Sequence, residues 1–300
     1  MESVELPGHT PMPSSQLIIV NYNAGDWLAR ALDSVAKFAP DCAVSVVDNA
    51  SSDNSIELAQ ARHRQTEIEW ILNPDNRGFA AANNQVLAKL DTEFAILMNP
   101  DCELSESTLP ALYAAFEAHP KMGMASGLIL NEDGSTQTTC RRTFPTPWSA
   151  LVRMLQLHRL FPKHPAFADF DQAAALDASS EFALVDAISG AFMMVRRTAL
   201  QEVGLLDEDY FMHCEDLDWC KRFELAGWQI GSVPSAVVTH AKGVSSKSRP
   251  IAVLWSLHKG MLRFFDKFYR TDYAWPIRYT VKLGVLLSFA GRALLSWWRR

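Results

Sequence analysis

The chain has no G-x-G-x-x-G following an apolar run, no G-x-x-x-x-G-K-[ST], no G-x-S-x-G and no H-E-x-x-H. The first two spacings let a backbone wrap a pyrophosphate, so their absence weighs against a dinucleotide-dependent dehydrogenase and a P-loop enzyme. Without the third and fourth there is neither a nucleophile elbow nor a helical zinc pair. Cysteine is sparse and unpatterned. Cys42, Cys102, Cys140, Cys214 and Cys220 contain no C-x-x-C pair, and their odd number reads as free thiols in a reducing compartment, not as a disulfide or zinc framework. The opening MESVELPGHTPMPSS has no apolar run of signal-peptide type, so residues 1–15 are expected to form a loose tail. No internal repeat or low-complexity tract occurs.

The chain does contain a regular alternation. Apolar runs begin at Leu17, Val44, Ile68 and Phe94, the repeat length of a strand–helix unit. Between them Trp27, Leu28, Ala31, Leu32 and Val35 recur at helical spacing. A second helix follows a cap at Ser52 or Asp53, and a third spans Gly78–Leu90. This predicts an α/β fold with a mostly parallel, Rossmann-like sheet flanked by helices. Ligands then bind at the carboxyl ends of the strands. Each run ends in a polar cluster: Asn21-Tyr22-Asn23, Asp48-Asn49, Asn73-Pro74-Asp75-Asn76 and Asn99-Pro100-Asp101. These clusters should meet on one rim. Residues 140–180 hold four prolines and read as a long loop with one short helix around Trp148–Leu160. Order returns at Ala187–Arg196, a helix near Asp218–Ala226, and strand-like runs Gln229–Val233 and Ala236–Thr239.

With 28 Lys and Arg against 34 Asp and Glu, the net charge is −6, which hides an asymmetry. Residues 241–300 carry 12 basic and 2 acidic groups, which leaves 16 and 32 for residues 1–240. An acidic body argues against nucleic-acid binding. A basic tail with eleven aromatics in its last fifty residues suits an anionic membrane surface or a diphosphate-bearing substrate. Lys282 and Arg292 interrupt the apolar stretch Val281–Trp298. With Arg278, Ser296 and Arg299 they share one side of a helix, which favours a helix lying in the interface plane over a spanning one. The alternative is a helix packed on the domain with its basic face in water.

Several acids and one histidine could carry chemistry. Asp101 follows a strand and Pro100, where it could serve a diphosphate-bound divalent cation or cap the following segment. Asp48 could accept from a nucleobase imide or close an Asx turn. His240 is a metal ligand or a satisfied structural residue. Phe211-Met212-His213-Cys214-Glu215-Asp216-Leu217-Asp218-Trp219 places three carboxylates at a helix start. The helix dipole accounts for Asp218. Glu215 and Asp216 have apolar neighbours, and crowding of like charges there can raise one pKa, as suits a general base.

Together LIIVNYNAGDWL, VVDNASSDNS, NRGFAAANN, ILMNPDCEL, ISGAFMMVRRTALQEVGLLDEDYFMHCEDLDWCKRFELAGW and THAKGVS resemble glycosyltransferase family 2, over residues 16–243. The narrower likeness is to bacterial rhamnosyltransferases of polysaccharide and cell-wall assembly. The resemblance implies a GT-A fold, with a donor half at 16–105, an acceptor and catalytic half at 106–243, and a helical, membrane-associating extension at 244–300. It implies donor contacts from Asn21, Asn23, Asp48, Asn49, Arg77, Gly78, Asn83, Asn99 and Lys242, with Ser245 beside Lys242 on a closing loop. It also implies Mg²⁺ or Mn²⁺ held by Asp101 and His240, and Asp216 as catalytic base with Glu215 beside it. Asn99 stands where the family has the first acid of its DxD-type motif. The implied reaction is an inverting transfer, best matched by L-rhamnose from dTDP-rhamnose. The acceptor would be a saccharide, carried on a polyprenyl diphosphate at the cytoplasmic face of the inner membrane. Transfer of another hexose or N-acetylhexosamine from a UDP-sugar, a nucleotidyltransferase, and a non-catalytic nucleotide-sugar-binding scaffold are the alternatives.

Overall fold

The computed structural model describes residues 13–154, 156–161, 164, 182–241 and 250–298. Lys242, Ser245 and residues 1–12 of the tail expected at 1–15 lie outside the described residues, and Ser15 is not tail but the buried first residue of the first strand. In chain order the elements are β1 (Ser15–Asn21), α1 (Trp27–Phe38), β2 (Ala43–Asp48), α2 (Ser55–Arg62), β3 (Glu69–Leu72), α3 (Gly78–Leu87), β4 (Phe94–Met98), β5 (Cys102–Leu104), α4 (Thr108–Ala118), β6 (Met122–Leu130), β7 (Arg141–Arg142), α5 (Pro147–Met154), α6 (Leu157–Leu160), β8 (Ala183–Leu184), β9 (Ala187–Ile188), β10 (Phe192–Arg196), α7 (Arg197–Val203), α8 (Glu215–Leu225), β11 (Gln229–His240), α9 (Pro250–Phe268) and α10 (Trp275–Trp298).

The main sheet runs β3-β2-β1-β4-β10-β6-β11-β5, with β8 attached to β11. The first four strands are parallel, as the periodicity predicts. β10 is inserted antiparallel between β4 and β6, and β11 lies parallel to β6. Buried on both faces, inner strands such as β1 and β4 read as apolar runs, whereas the edge strand β3 is exposed at Glu69 and Leu72. Successive side chains alternate between faces. Leu17 and Ile19 join α1, α2 and α4 in one core, and Ile18 joins α3, α7 and α8 in the other.

Several expectations need correction. The last two strand-like runs are one strand, β11, with an irregularity between Val233 and Val237. Among its described residues the long loop holds two short helices, not one, and β7, which pairs with β9 beyond the loop. α8 starts three residues earlier than its periodicity suggests, because Glu215 and Asp216 are helical. β5 returns across the sheet to pair with β11, so residues 16–105 and 106–243 interleave in one sheet.

The C-terminal region is less separate than expected. Phe264 and Phe265 of α9 are buried in the domain. Arg263 pairs with Asp207 and Asp209, and Lys267 with Asp207 and Asp218. Part of the tail's positive charge is therefore neutralised inside the fold. α10 returns along α9, where Lys282 meets Asp266 at 2.7 Å and Trp255 packs edge-on against Phe289. No helix among the described residues is long and apolar enough to cross a membrane.

Candidate active site

The strand-end clusters lie along one rim, and the first three bond to one another. At the end of β2, Asp48 is buried; its Oδ1 accepts from Asn21 Nδ2 at 2.8 Å and Ser51 Oγ at 2.6 Å, and its Oδ2 accepts from Ser51 N at 3.0 Å. Asp48 thus closes its own loop through Ser51, three residues on, and not through the two-residue Asx turn considered for it. Asn23 is left-handed, and its Oδ1 accepts from the backbone of Ser52 and Asp53. Neither of the two residues proposed as cap is the N-cap of α2, which is Asn54; Asp53, one residue earlier, accepts from Ser55 N and Oγ. Asn21 and Asn23 therefore hold the loop that carries Asp48.

The next link is Asn49. Its Nδ2 donates to Gly78 O at 3.0 Å, and its Oδ1 accepts from Asn73. Gly78 opens α3 at φ +83°, and Phe79 N donates to Phe211 O at 3.0 Å. A Cβ on Gly78 would lie 2.4 Å from that carbonyl, so only glycine allows the approach. Arg77 is exposed beside it, while Asn83 is buried in α3 and donates to Phe79 O. One polar atom of Asn83, Oδ1, is buried with no hydrogen-bond partner among the described residues.

Phe211 leads into the acid cluster. His213 and Cys214 are both left-handed, at φ +68° and +69°. Each such non-glycine residue costs about 1–2 kcal/mol. α9 packs against this turn at Gly260, where a Cβ would sit 2.8 Å from His213 O. Asp216 Oδ2 accepts from the Arg142 guanidinium and from Gly190 N at 3.1 Å, and its Oδ1 accepts from Leu217 N at 2.8 Å. Burial would raise this carboxyl, but Arg142 and these donors hold it below the usual aspartate range. Its neighbour Glu215 shows the opposite effect. Burial, with the Asp216 charge second, pushes Glu215 up to about 8. The raised group is therefore Glu215, because Arg142 stabilises the charge of Asp216 instead. Asp218 is a buried ion partner of Arg222 and Lys267, not merely a helix-dipole acid.

The Gly190–Ala191 turn joins this cluster to the Asp101 side. Gly190 N binds Asp216, while Ala191 O accepts from Asn99 N at 2.8 Å. Asn99 itself is half-buried. Asp101 does not cap the following segment; its Oδ1 lies 3.2 Å from His240 Nε2, and both residues are buried. The β5–β11 ladder places them together by aligning Cys102 with His240. His240 Nδ1 faces Gln137 Oε1 at 3.1 Å. Asp101, Cys102 and His240 are close enough to share a cation. Burial, then the Asp101 charge, pushes the Cys102 thiol well up, and its Sγ donates to Ala191 O. A protonated thiol leaves one carboxylate and one imidazole, a donor pair that fits Mg²⁺ or Mn²⁺ completed by outside oxygens.

The sequence reading did not assign site roles to Gln137 or Arg142. Arg142 lies in the proline-bearing, non-periodic middle of the chain and Gln137 just before it, and only the fold brings them to the rim.

With that geometry described, similarity to known proteins identifies the class. The family model "Glycosyl transferase family 2" matches residues 16–204, and the chain belongs to that family. It is a glycosyltransferase of GT-A fold. It is 29% identical over 282 residues to the N-acetylglucosaminyl-diphospho-decaprenol L-rhamnosyltransferase of Mycobacterium tuberculosis, covering 89% of this chain and 88% of the relative. It is 24% identical to rhamnosyltransferase WbbL of Escherichia coli K12, covering 90% and 94%. The mannosyltransferase PcManGT of Pyrobaculum calidifontis, solved with GDP-Man and Mn²⁺, superposes with a TM-score of 0.59 at 18% identity, over 95% of this chain and 76% of that one.

Proposed function

We propose that this protein is an inverting, divalent-metal-dependent rhamnosyltransferase. It takes L-rhamnose from dTDP-rhamnose and places it on a hydroxyl of a polyprenyl-diphosphate-linked saccharide. The rhamnosyl group is supported by the names of the two rhamnosyltransferase relatives, and the polyprenyl-diphosphate-linked acceptor by that of the Mycobacterium tuberculosis relative; dTDP as the carrier rests on the sequence resemblance, and the chemistry is supported by the site. The observation that carries the reading is the fixed Asp216 carboxylate, tied through the Gly190–Ala191 turn to the strand end carrying Asp101, which faces His240.

A carboxylate offers about four lone-pair positions. Arg142, Gly190 N and Leu217 N occupy three, so one remains for an acceptor hydroxyl. Asp216 stays ionised and takes that proton as the hydroxyl oxygen attacks the anomeric carbon. Asp101 and His240 would hold the divalent cation, whose charge, when bound, offsets that of the departing nucleoside diphosphate. Asp48, Asn49, Asn99, Arg77, Gly78 and Asn83 line the donor side, with Asn21 and Asn23 shaping it; the resemblance adds Lys242, which lies outside the described residues. Glu215, carrying a proton at neutral pH, keeps a second negative charge away from the base.

Membrane contact belongs to the same proposal. α10 exposes Trp275, Tyr279, Leu283, Leu286, Leu287 and Leu294. An apolar stripe on a helix that does not span suits burial at the headgroup boundary of the inner membrane's cytoplasmic face.

The test is transfer from dTDP-rhamnose and from UDP-sugars to a synthetic polyprenyl-diphospho-N-acetylglucosamine, with and without Mn²⁺. Rhamnose transfer that requires metal and inverts the anomeric centre supports the assignment. Transfer from a UDP-sugar alone would replace the donor. Retention of configuration would remove Asp216 from its role.

A further inference from the structure

We infer that Gln137 is a positioning residue that fixes the tautomer of His240 and thereby aims its Nε2 lone pair at the cation site. The inference rests on the metal reading above but concerns a residue outside the family match's implied ligand set.

The argument needs only donor and acceptor identities. Gln137 is 4% exposed and meets His240 twice. Its Nε2 donates to the His240 backbone carbonyl at 2.8 Å. That carbonyl can only accept, so the amide can face it only with its NH₂. Oε1 is therefore the atom 3.1 Å from His240 Nδ1. An amide oxygen can only accept, so Nδ1 carries the hydrogen. In the neutral ring the other nitrogen is then a bare lone pair, and it lies 3.2 Å from Asp101 Oδ1. A lone pair facing a carboxylate is a repulsive arrangement until a cation sits between them. Metal-bound histidines commonly donate their second ring N–H to an outer partner in this way, and loss of that partner costs about 10–100-fold in metal affinity.

Gln137 is placed for this by the chain itself. Its N–H donates to Ile129 O at the end of β6, and β6 runs parallel to β11, which ends in His240. The amide thus bridges two neighbouring strand ends.

Two variants separate the roles of the amide. Gln137→Met removes both contacts at similar volume. Gln137→Glu keeps an acceptor for Nδ1–H but loses the donor to the His240 carbonyl. Imidazole ¹H–¹⁵N correlations, recorded well above the ordinary histidine range of about 6.5 and assigned with His240→Ala, report the tautomer without any metal. Electron paramagnetic resonance of Mn²⁺ with saturating UDP or dTDP reports affinity. The expected result is Nδ1–H in the wild type and Gln137→Glu, and a shift toward Nε2–H in Gln137→Met. Mn²⁺ affinity should fall about 10–100-fold in Gln137→Met and be largely kept in Gln137→Glu. An unchanged tautomer in Gln137→Met would overturn the inference. So would equal losses in both variants, which would mean that the amide only anchors the chain. If the wild type binds no Mn²⁺ but the tautomer responds as expected, the metal reading fails and the assignment of Gln137 stands.

Discussion

Replacing Gly78 by alanine tests whether the donor rim and the acid cluster are held together at one close backbone contact. The added Cβ would lie 2.4 Å from Phe211 O, whereas real Cβ contacts essentially never fall below 3.0 Å, so one chain must retreat by at least 0.6 Å. The site also has φ +83°. A non-glycine residue there costs about 1–2 kcal/mol. Retreat weakens the 3.0 Å Phe79–Phe211 bond, worth about 1 kcal/mol net. The combined loss is about 2–3 kcal/mol. Gly25 supplies the control. It too is left-handed, at φ +58°, but a Cβ there meets nothing within 4 Å. Its alanine variant should lose only the conformational part, about 1–2 kcal/mol, without the added loss of the Phe79–Phe211 bond. Urea midpoints of both variants read the difference. Because Phe211 lies five residues before Asp216, Gly78→Ala should also slow transfer by up to about 10²-fold, the effect of a displacement near 1 Å. Equal stability losses for the two glycines, or full activity in Gly78→Ala, would refute the reasoning.

Other outcomes follow from individual contacts. Asp216→Asn should reduce transfer about 10²–10⁴-fold while sparing donor-nucleotide affinity; a matching loss of affinity, read by calorimetry, would count against a base. Because Arg142 holds the Asp216 carboxyl low, the stabilisation from that pair is present above the ordinary aspartate range and is lost as pH falls through the depressed value. Arg142→Met should therefore move the acid limb of the rate profile to higher pH, and an unmoved limb would contradict the pairing. Glu215 runs the other way. Between 4.5, its ordinary value, and about 8 the folded state keeps a proton that the unfolded chain releases, so stability falls as pH rises across that window. Glu215→Gln should raise the melting temperature near the top of this window and have little effect at its bottom; a uniform effect would remove the burial argument. Charging the exposed face of α10 with Leu283→Glu and Leu287→Glu should lower co-sedimentation with anionic vesicles, and unchanged binding would reject the interfacial role.

The parallel half of the sheet was legible because its strands are consecutive and the inner ones bury both faces, giving unbroken apolar runs such as Phe94–Met98. The rim was legible for the same reason. What the sequence hid depends on contacts distant along the chain. Lys267 meets Asp218 from α9, and a local helix-dipole argument cannot see it. Arg142 decides which of Glu215 and Asp216 has the raised pKa, but it lies in a two-residue strand without periodicity. The basic residues of α10 were read as a water-facing or lipid-facing stripe. Lys282 instead pairs with Asp266 of α9, while Arg292 is exposed and leucines such as Leu283 and Leu287 also face outward.

The central claim is that Asp101 and His240 form the cation site of a nucleoside-diphosphate pocket. The most direct test is calorimetric titration of dTDP, UDP and GDP into the protein with and without Mn²⁺, in the wild type and in Asp101→Ala. Binding of dTDP or UDP that needs Mn²⁺ and disappears in Asp101→Ala is the expected result. Binding that is indifferent to the metal, or unchanged in Asp101→Ala, would contradict the account.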